Sequence, residues 1–113
     1  MKKITLVLLM LVSTGAWAET MIPRSMPGDK GKYYLIEMKR EGNIVKALHK
    51  RVGVDTVGFT RTESNCTTGQ IRDMGYGEGT ASAVKMYPAN MQNWYDISNG
   101  SSKSDLYRFV CLK

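Results

Sequence analysis

The stretch Tyr33–Val52, YYLIEMKREGNIVKALHKRV, decides the fold. It places two runs of aromatic, aliphatic and β-branched residues on either side of Gly42-Asn43, a pair typical of tight hairpin turns. In the second run, apolar and basic residues occur on both faces, as in an antiparallel strand with one side partly in water. Alternation along the first run predicts one shared face for three side chains: Tyr34, Ile36 and Met38.

The residues after this hairpin continue the strand pattern. Val57–Cys66 alternates in character, and Gln70–Tyr76 follows the short turn Thr67–Gly69. Connections of about three or four residues join only antiparallel neighbours, so these strands form a meander. The glycines of Gly75–Gly79 are expected to bend or end the fourth strand, and Ala81–Tyr87 is a candidate fifth strand.

The carboxyl-terminal residues change from strand to helical periodicity. Ser102–Asp105 resembles a capping box, with a hydroxyl at the start and a carboxylate three residues later. A helix of about nine residues is marginal alone, so we expect it to pack on the sheet. Trp94 and Ile97 are predicted core residues. The apolar stripe of the helix is made by Leu106, Phe109 and Val110.

The amino-terminal residues have the organisation of a secretory signal. Lys2 and Lys3 precede the apolar run Ile4–Val12, and Ala16-Trp17-Ala18 matches the small-x-small pattern of a cleavage site. The apolar run is roughly half of the about 20 residues that a membrane-spanning helix needs. The predicted organisation is a cleaved signal peptide at 1–18, a flexible leader at 19–31 and a single domain at 32–113.

The same region predicts the compartment. Glu19 stands where a lipoprotein signal would carry its modified cysteine, so neither a lipid anchor nor a membrane span is expected. The style of the signal is bacterial. We therefore expect a periplasmic protein, with secretion beyond the periplasm as an open alternative.

Charge and composition exclude several classes of function. The whole chain has a formal net charge of +6, and removal of residues 1–18 takes two lysines with it, which leaves about +4. That balance is too small for a nucleic-acid-binding surface. The single histidine, His49, would need a partner at about 3 Å to act as a general base. Beside Lys50 and Arg51 it is better explained as a surface or half-buried strand residue. We predict no catalytic residue, metal site or cofactor.

The two cysteines, Cys66 and Cys111, are predicted to form a structural disulfide. An even number of cysteines in an oxidising compartment favours this pairing. A redox pair or a bridge between molecules is the alternative, and the absence of a Cys-x-x-Cys spacing disfavours the first of these. The bridge would hold the terminal helix against the third strand of the meander.

Six basic residues on strands and turns form a candidate binding patch. Such a patch would attract an anionic glycan, a phospholipid headgroup or an acidic protein. The alternative is that lysines protect an edge strand against aggregation. The residues are Lys39, Arg40, Lys46, Lys50, Arg51 and Arg61.

Short motifs over Tyr33–Cys111 resemble the surface-adhesin protein E family. They are the paired tyrosines 33 and 34, the Gly42-Asn43 turn and the closing pattern Trp94-Tyr95-Asp96-Ile97, Gly100-Ser101, Leu106, Phe109-Val110-Cys111. The resemblance implies a curved, mostly antiparallel α+β domain whose carboxyl-terminal helix is held by the disulfide. It also implies adhesion to host matrix proteins, although the family includes plain periplasmic members.

These observations predict an exported, non-catalytic binding protein. Its partner would be a host-matrix or envelope protein, or an anionic glycan. The alternative is a periplasmic inhibitor or immunity protein that blocks an envelope enzyme, with the loop Gly75–Ala83 entering the cleft of that enzyme. Pairing of edge strands into a dimer is left open.

Overall fold

The computed structural model describes residues 19–26 and 28–112. Within them the chain forms one open antiparallel sheet and one carboxyl-terminal α-helix, which confirms the predicted α+β class. The strands follow the order β1-β2-β3-β4-β5-β6, and β7 pairs with β5. The elements are β1 (Thr20–Met21), β2 (Lys32–Glu41), β3 (Ile44–Val52), β4 (Val57–Asn65), β5 (Gln70–Glu78), β6 (Lys85–Met86), β7 (Tyr95–Asp96) and α1 (Ser102–Cys111).

Three short turns join the strands β2–β5 of the meander, and the one between β3 and β4 is closed by a hydrogen bond from the Gly53 N–H to the Thr56 oxygen at 2.9 Å. Gly42 turns β2 into β3 with a φ of 64°, a conformation that favours glycine. Between β4 and β5, the side-chain oxygen of Asn65 accepts hydrogen bonds from the backbone N–H groups of Thr67 and Thr68 at 3.0 and 3.2 Å. Gly69 completes this turn with a φ of 79°. The predicted meander of consecutive antiparallel strands is confirmed.

A β-bulge in β2 makes the predicted face assignment of this strand wrong. Leu35 lies opposite His49, but Glu37 lies opposite Leu48, so Ile36 is an additional residue in the register. One added residue reverses the side of every residue that follows. The core side of β2 is therefore made by Tyr33, Leu35 and Met38.

The core lies between α1 and one face of the sheet, which we call the helix face. Leu106 and Val110 of α1 are 1% and 0% exposed, and they pack with Val45, Ala47 and Ile71 of the strands. Phe109 packs against the edge of this cluster. The predicted apolar stripe of the helix is confirmed.

The cap of α1 lies one residue before the predicted position. The Ser101 side chain accepts a hydrogen bond from the backbone N–H of Ser104 at 3.1 Å, so Ser101 is the N-cap. Asp105 does not close a capping box. Its carboxylate instead accepts from Arg24 Nε at 2.7 Å and from the backbone N–H of Ser25 at 3.1 Å.

The segment predicted to be a flexible leader contributes to the fold. Thr20 and Met21 form β1 against β2, and Ile22 is a core residue with 2% exposure. Asp29 accepts hydrogen bonds from the side chains of Tyr33 and Arg51. The folded domain therefore begins upstream of Lys32, because this segment pairs with β2, contacts Arg51 of β3 and contributes Ile22 to the core. The predicted signal peptide, 1–18, lies outside the described residues.

Besides the helix cap, the last third of the chain departs from the prediction in two places. The candidate fifth strand Ala81–Tyr87 is reduced to β6, preceded by a 3-10 turn at Ala81–Ala83. Trp94 is not a core residue. Its ring lies 4.5 Å from the guanidinium carbon of Arg72, away from the helix face, whereas Ile97 packs against the core as expected.

The predicted disulfide is confirmed. Cys66 and Cys111 are bonded, with their Cα atoms 5.6 Å apart. Cys66 directly follows β4 and Cys111 is the last residue of α1, so the bridge joins the helix to the strand on which it packs.

Candidate functional site

The second face of the sheet, which we call the open face, is not covered by α1. Because strand residues alternate between faces, the register places one row of side chains across β2, β3, β4 and β5: Lys39, Lys46, Glu63 and Arg72. The next row begins with Glu37, Leu48 and Arg61, and Leu48 is 1% exposed. The open face therefore combines a small apolar floor with charged side chains.

A groove of about 670 Å³ lies on this part of the sheet. Its volume is within the range of roughly 300–1,000 Å³ that is usual for ligand sites. Met86, at the far wall, is 56% exposed. The lining combines both signs of charge with methionine and consists of Glu37, Met38, Lys39, Lys46, Ala47, Arg61, Thr62, Glu63, Met74 and Met86.

Two lysines at the β2 wall of the groove share one carboxylate as their ion-pair partner. Lys39 and Lys46 are direct cross-strand neighbours, an arrangement of like charges that is unfavourable by itself. Glu41 offsets it, because its carboxylate lies 3.3 Å from the Lys46 ammonium and 3.4 Å from that of Lys39. The hydrogen bond from Lys46 is the main reason that the pKa of Glu41 is below its usual value.

Charges along the β4 wall are also paired. Arg61 Nη1 lies 3.5 Å from a carboxylate oxygen of Glu37. Arg72 contacts one oxygen of Glu63 through two nitrogens, at 2.8 and 3.1 Å, and its guanidinium lies under the Trp94 ring. These contacts orient the arginine side chains.

The structure divides the six predicted patch residues between the two faces. Lys39, Lys46 and Arg61 line the groove together. Lys50 is on the same face at the other end of the sheet, where its ammonium lies 2.6 Å from Glu19 and 5.1 Å from the Tyr34 ring centre.

Arg40 and Arg51 belong to the helix face, because each is offset by one residue from a lysine of the open face. Arg51 contacts Asp29 at 2.7 Å, and Arg40 donates to the backbone oxygen of Gly42 at 3.0 Å. Proximity along the strands predicts that all six residues lie together. Alternation of side chains separates them.

Sequence reasoning missed the acidic and methionine members of the groove. Alternation along β2 and β4 places Glu37 and Glu63 on the open face, but for Glu37 this assignment requires knowledge of the bulge. Met74 and Met86 come together only because β6 returns to pair with β5, with Met86 opposite Gly75. No local pattern indicates that pairing.

His49 is not the surface or half-buried residue that the sequence predicts. It is 5% exposed, on the helix face, and its Nδ1 has no hydrogen-bond partner within the described part of the chain. Burial, with the nearby Lys103 ammonium as a further cause, lowers the pKa of His49 to about 4. The imidazole is therefore neutral at pH 7.

Comparisons with known proteins give no family for this chain: no protein-family model, curated protein or solved structure matches it. The resemblance to the surface-adhesin protein E family therefore stays a prediction. Among residues 19–26 and 28–112, no helix is long and apolar enough to cross a membrane. The same residues contain no group of three or more histidine, cysteine or acidic side chains with metal-binding geometry.

Proposed function

We propose that the protein is an exported, non-catalytic binding module that recognises a protein partner through the groove on its open face. The groove, with its juxtaposed lysines, arginine and methionines, is the observation that carries the proposal. The partner is a host-matrix or envelope protein. The periplasm is the proposed compartment, and the disulfide is compatible with its oxidising conditions.

The composition of the groove fits a protein better than a polyanionic glycan. Two carboxylates, those of Glu37 and Glu63, would repel a uniformly anionic chain. Mixed charges instead favour specificity for a complementary pattern. Met74 and Met86 supply polarisable side chains that adapt to apolar groups of a partner.

The edge of the sheet beside the groove favours an extended segment of the partner. Strand β1 pairs only with Tyr34 and Leu35 of β2. Among the described residues, no strand pairs with the outer edge of residues 36–41. An added strand would bond to these backbone groups and place alternate side chains toward the groove. Lys39 at this edge favours acidic side chains in that segment.

The test is binding by the mature, oxidised protein to purified extracellular-matrix proteins and, in parallel, to envelope extract with mass-spectrometric identification. The groove variant is Lys39→Gln, Lys46→Gln, Arg61→Gln. The matched control, Lys30→Gln, Lys32→Gln, Lys85→Gln, removes the same charge from exposed side chains outside the groove and outside the edge 36–41. Equal circular dichroism and thermal unfolding establish that both variants are folded.

We expect saturable binding that the groove variant weakens by at least about tenfold and the control leaves unchanged. Equal binding by both variants would refute the groove as the contact surface. Stoichiometric capture and inhibition of one envelope enzyme would replace this proposal with the inhibitor hypothesis. The segment expected to enter the enzyme then needs revision, since Gly75–Glu78 is part of β5 and only the exposed residues from Gly79 to Ala83 project as a loop.

A further inference from the structure

A cavity of about 190 Å³, smaller than the groove, lies at the amino end of α1, on the helix face. It is below the roughly 300 Å³ at which sites for drug-sized ligands begin, so it has room only for a small ion or the end group of a larger molecule. The residues that matter for its chemistry are Tyr33, His49, Arg51, Tyr76, Ser102 and Lys103. The sheet separates this cavity from the groove.

The lining of the cavity contains two cations and no carboxylate. Arg51 and Lys103 line it, whereas their ion-pair partners, Asp29 and Asp73, lie outside the lining at 2.7 and 2.9 Å from the respective nitrogens. Burial opposes the charge on Lys103, but the contacts with Asp73 outweigh it, and its pKa is above the ordinary lysine value. The ammonium is therefore retained at neutral pH.

The helix end adds backbone donors to this positive lining. With Ser101 as N-cap, the N–H groups of Ser102 and Lys103 are the first two of the helix, and they have no acceptor within it. The N-terminal end of a helix also carries a partial positive charge. Both effects favour an anion at this position.

His49 is the independent observation that points to a ligand. It lines the cavity, is only 5% exposed, and has an Nδ1 without a hydrogen-bond partner in the described residues. Buried polar atoms without partners are rare, because desolvation is then not compensated. A neutral imidazole donates from one nitrogen, which suits an oxygen ligand.

We propose that this cavity binds a small oxyanion, a phosphate or carboxylate group, between the Lys103 ammonium, the first backbone N–H groups of α1 and the His49 ring. Such a group gains charge-assisted hydrogen bonds from donors that are already fixed by the fold. The site is independent of the proposed groove function, because the two sets of lining residues do not overlap.

His49 gives a direct readout, because it is the only histidine in the chain. Its ring resonances are followed by NMR during titration of the oxidised protein with inorganic phosphate and, separately, with acetate. Sodium chloride at matched ionic strength is the control for screening. We expect saturable shifts with at least one oxyanion and a rise in the pKa of His49, since a nearby anion favours imidazolium. Lys103 and Asp73 are the charged groups that act on the pKa of His49, and the Tyr95 hydroxyl is hydrogen-bonded to both. Tyr33, Arg51 and Tyr76 line the cavity with the ring.

A pair of variants at Ser102 isolates the backbone donor. Ser102→Pro removes the first N–H of the helix at the position where proline is well tolerated, and Ser101 already has the extended ψ of 161° that a following proline requires. Ser102→Ala removes only the hydroxyl. We expect Ser102→Pro and Lys103→Met each to weaken binding by about tenfold, as for the loss of a charge-assisted contact, and Ser102→Ala to weaken it less.

The two oxyanions distinguish the sources of the group: saturation by phosphate alone assigns a phosphoryl ligand, and saturation by acetate alone assigns a carboxylate. Shifts that chloride reproduces, or that do not saturate, would overturn the proposal. Equal affinities for the Ser102→Pro and Ser102→Ala proteins would also overturn it. The groove variant retains oxyanion binding, so failure here and failure of the groove are separate results.

Discussion

Removal of the Cys66–Cys111 disulfide is expected to destabilise the protein mainly through the unfolded chain. The bridge closes a loop with a sequence separation of 45 residues. Loop-closure entropy assigns about 4 kcal/mol to a bridge of this span. In the native state, we expect Leu106 and Val110 to stay buried against the sheet without it, because they also pack with Val45, Ala47 and Ile71 of the strands.

The variant is Cys66→Ala, Cys111→Ala, and the assay is urea unfolding followed by far-ultraviolet circular dichroism at 25 °C. We expect an unchanged native spectrum, a loss of about 4 kcal/mol in the free energy of unfolding, and a melting temperature lower by roughly 15–30 °C. Wild-type protein with and without a reducing agent is the control, since it changes the bridge without changing the sequence.

A loss below about 1 kcal/mol with a native-like spectrum would refute this reasoning, because it would show that the unfolded chain is restricted even without the bridge. A double variant that is unfolded in buffer is measured along a series of sucrose or trimethylamine oxide concentrations, which restore folding of a destabilised chain. Extrapolation to zero osmolyte then gives the free energy of unfolding of the variant in buffer, for comparison with the wild type. Loss of the helical spectrum in the refolded variant would also contradict the argument, since it would make the bridge necessary for docking of α1.

Three further perturbations test the packing and the buried groups. Leu106→Ala is expected to reduce the free energy of unfolding by about 2–5 kcal/mol in urea, because Leu106 is 1% exposed in the core; a change below 1 kcal/mol would contradict that position. Wild-type stability should fall as the pH decreases from 6.5 to 4, by up to about 3 kcal/mol, because the unfolded chain protonates His49 at the ordinary pKa and the folded chain holds that pKa at about 4. The His49→Gln protein should lack this pH dependence of stability. An identical profile in the variant would show that another group causes it. Gly77→Ala should destabilise the protein, since its added carbon would lie 2.4 Å from the Ala83 backbone, whereas Gly58→Ala meets only the movable Tyr76 side chain; equal thermal stability of the two variants would contradict this difference.

Local patterns were sufficient for most of the sheet. The bounds of β3 agree with the predicted Ile44–Val52, and the turn at Gly42 follows from a residue that adopts a positive φ without strain. The pairing of Cys66 with Cys111 follows from their number. These features are decided by neighbouring residues or by simple counting, so they are visible in the sequence.

The faces of β2 and the amino-terminal strand required the tertiary structure. The additional residue Ile36 reverses the alternation, and nothing in the local sequence marks a bulge there. Arg24 and Asp105 contact each other across 81 positions of the chain. A contact of that separation stabilises the segment around Ile22, but it has no signature in either local stretch.

The sequence by itself determined the four strands of the meander, the helix and the bridge, because each depends on short-range periodicity or on residue chemistry. Only the tertiary structure decided which charged side chains meet. It placed Lys46 in the groove and Arg51 on the opposite face, although both belong to β3. It also buried His49 of β3 beside the amino end of α1. Sites of this kind depend on register and on the packing of the helix, which are properties of the whole fold rather than of any one segment.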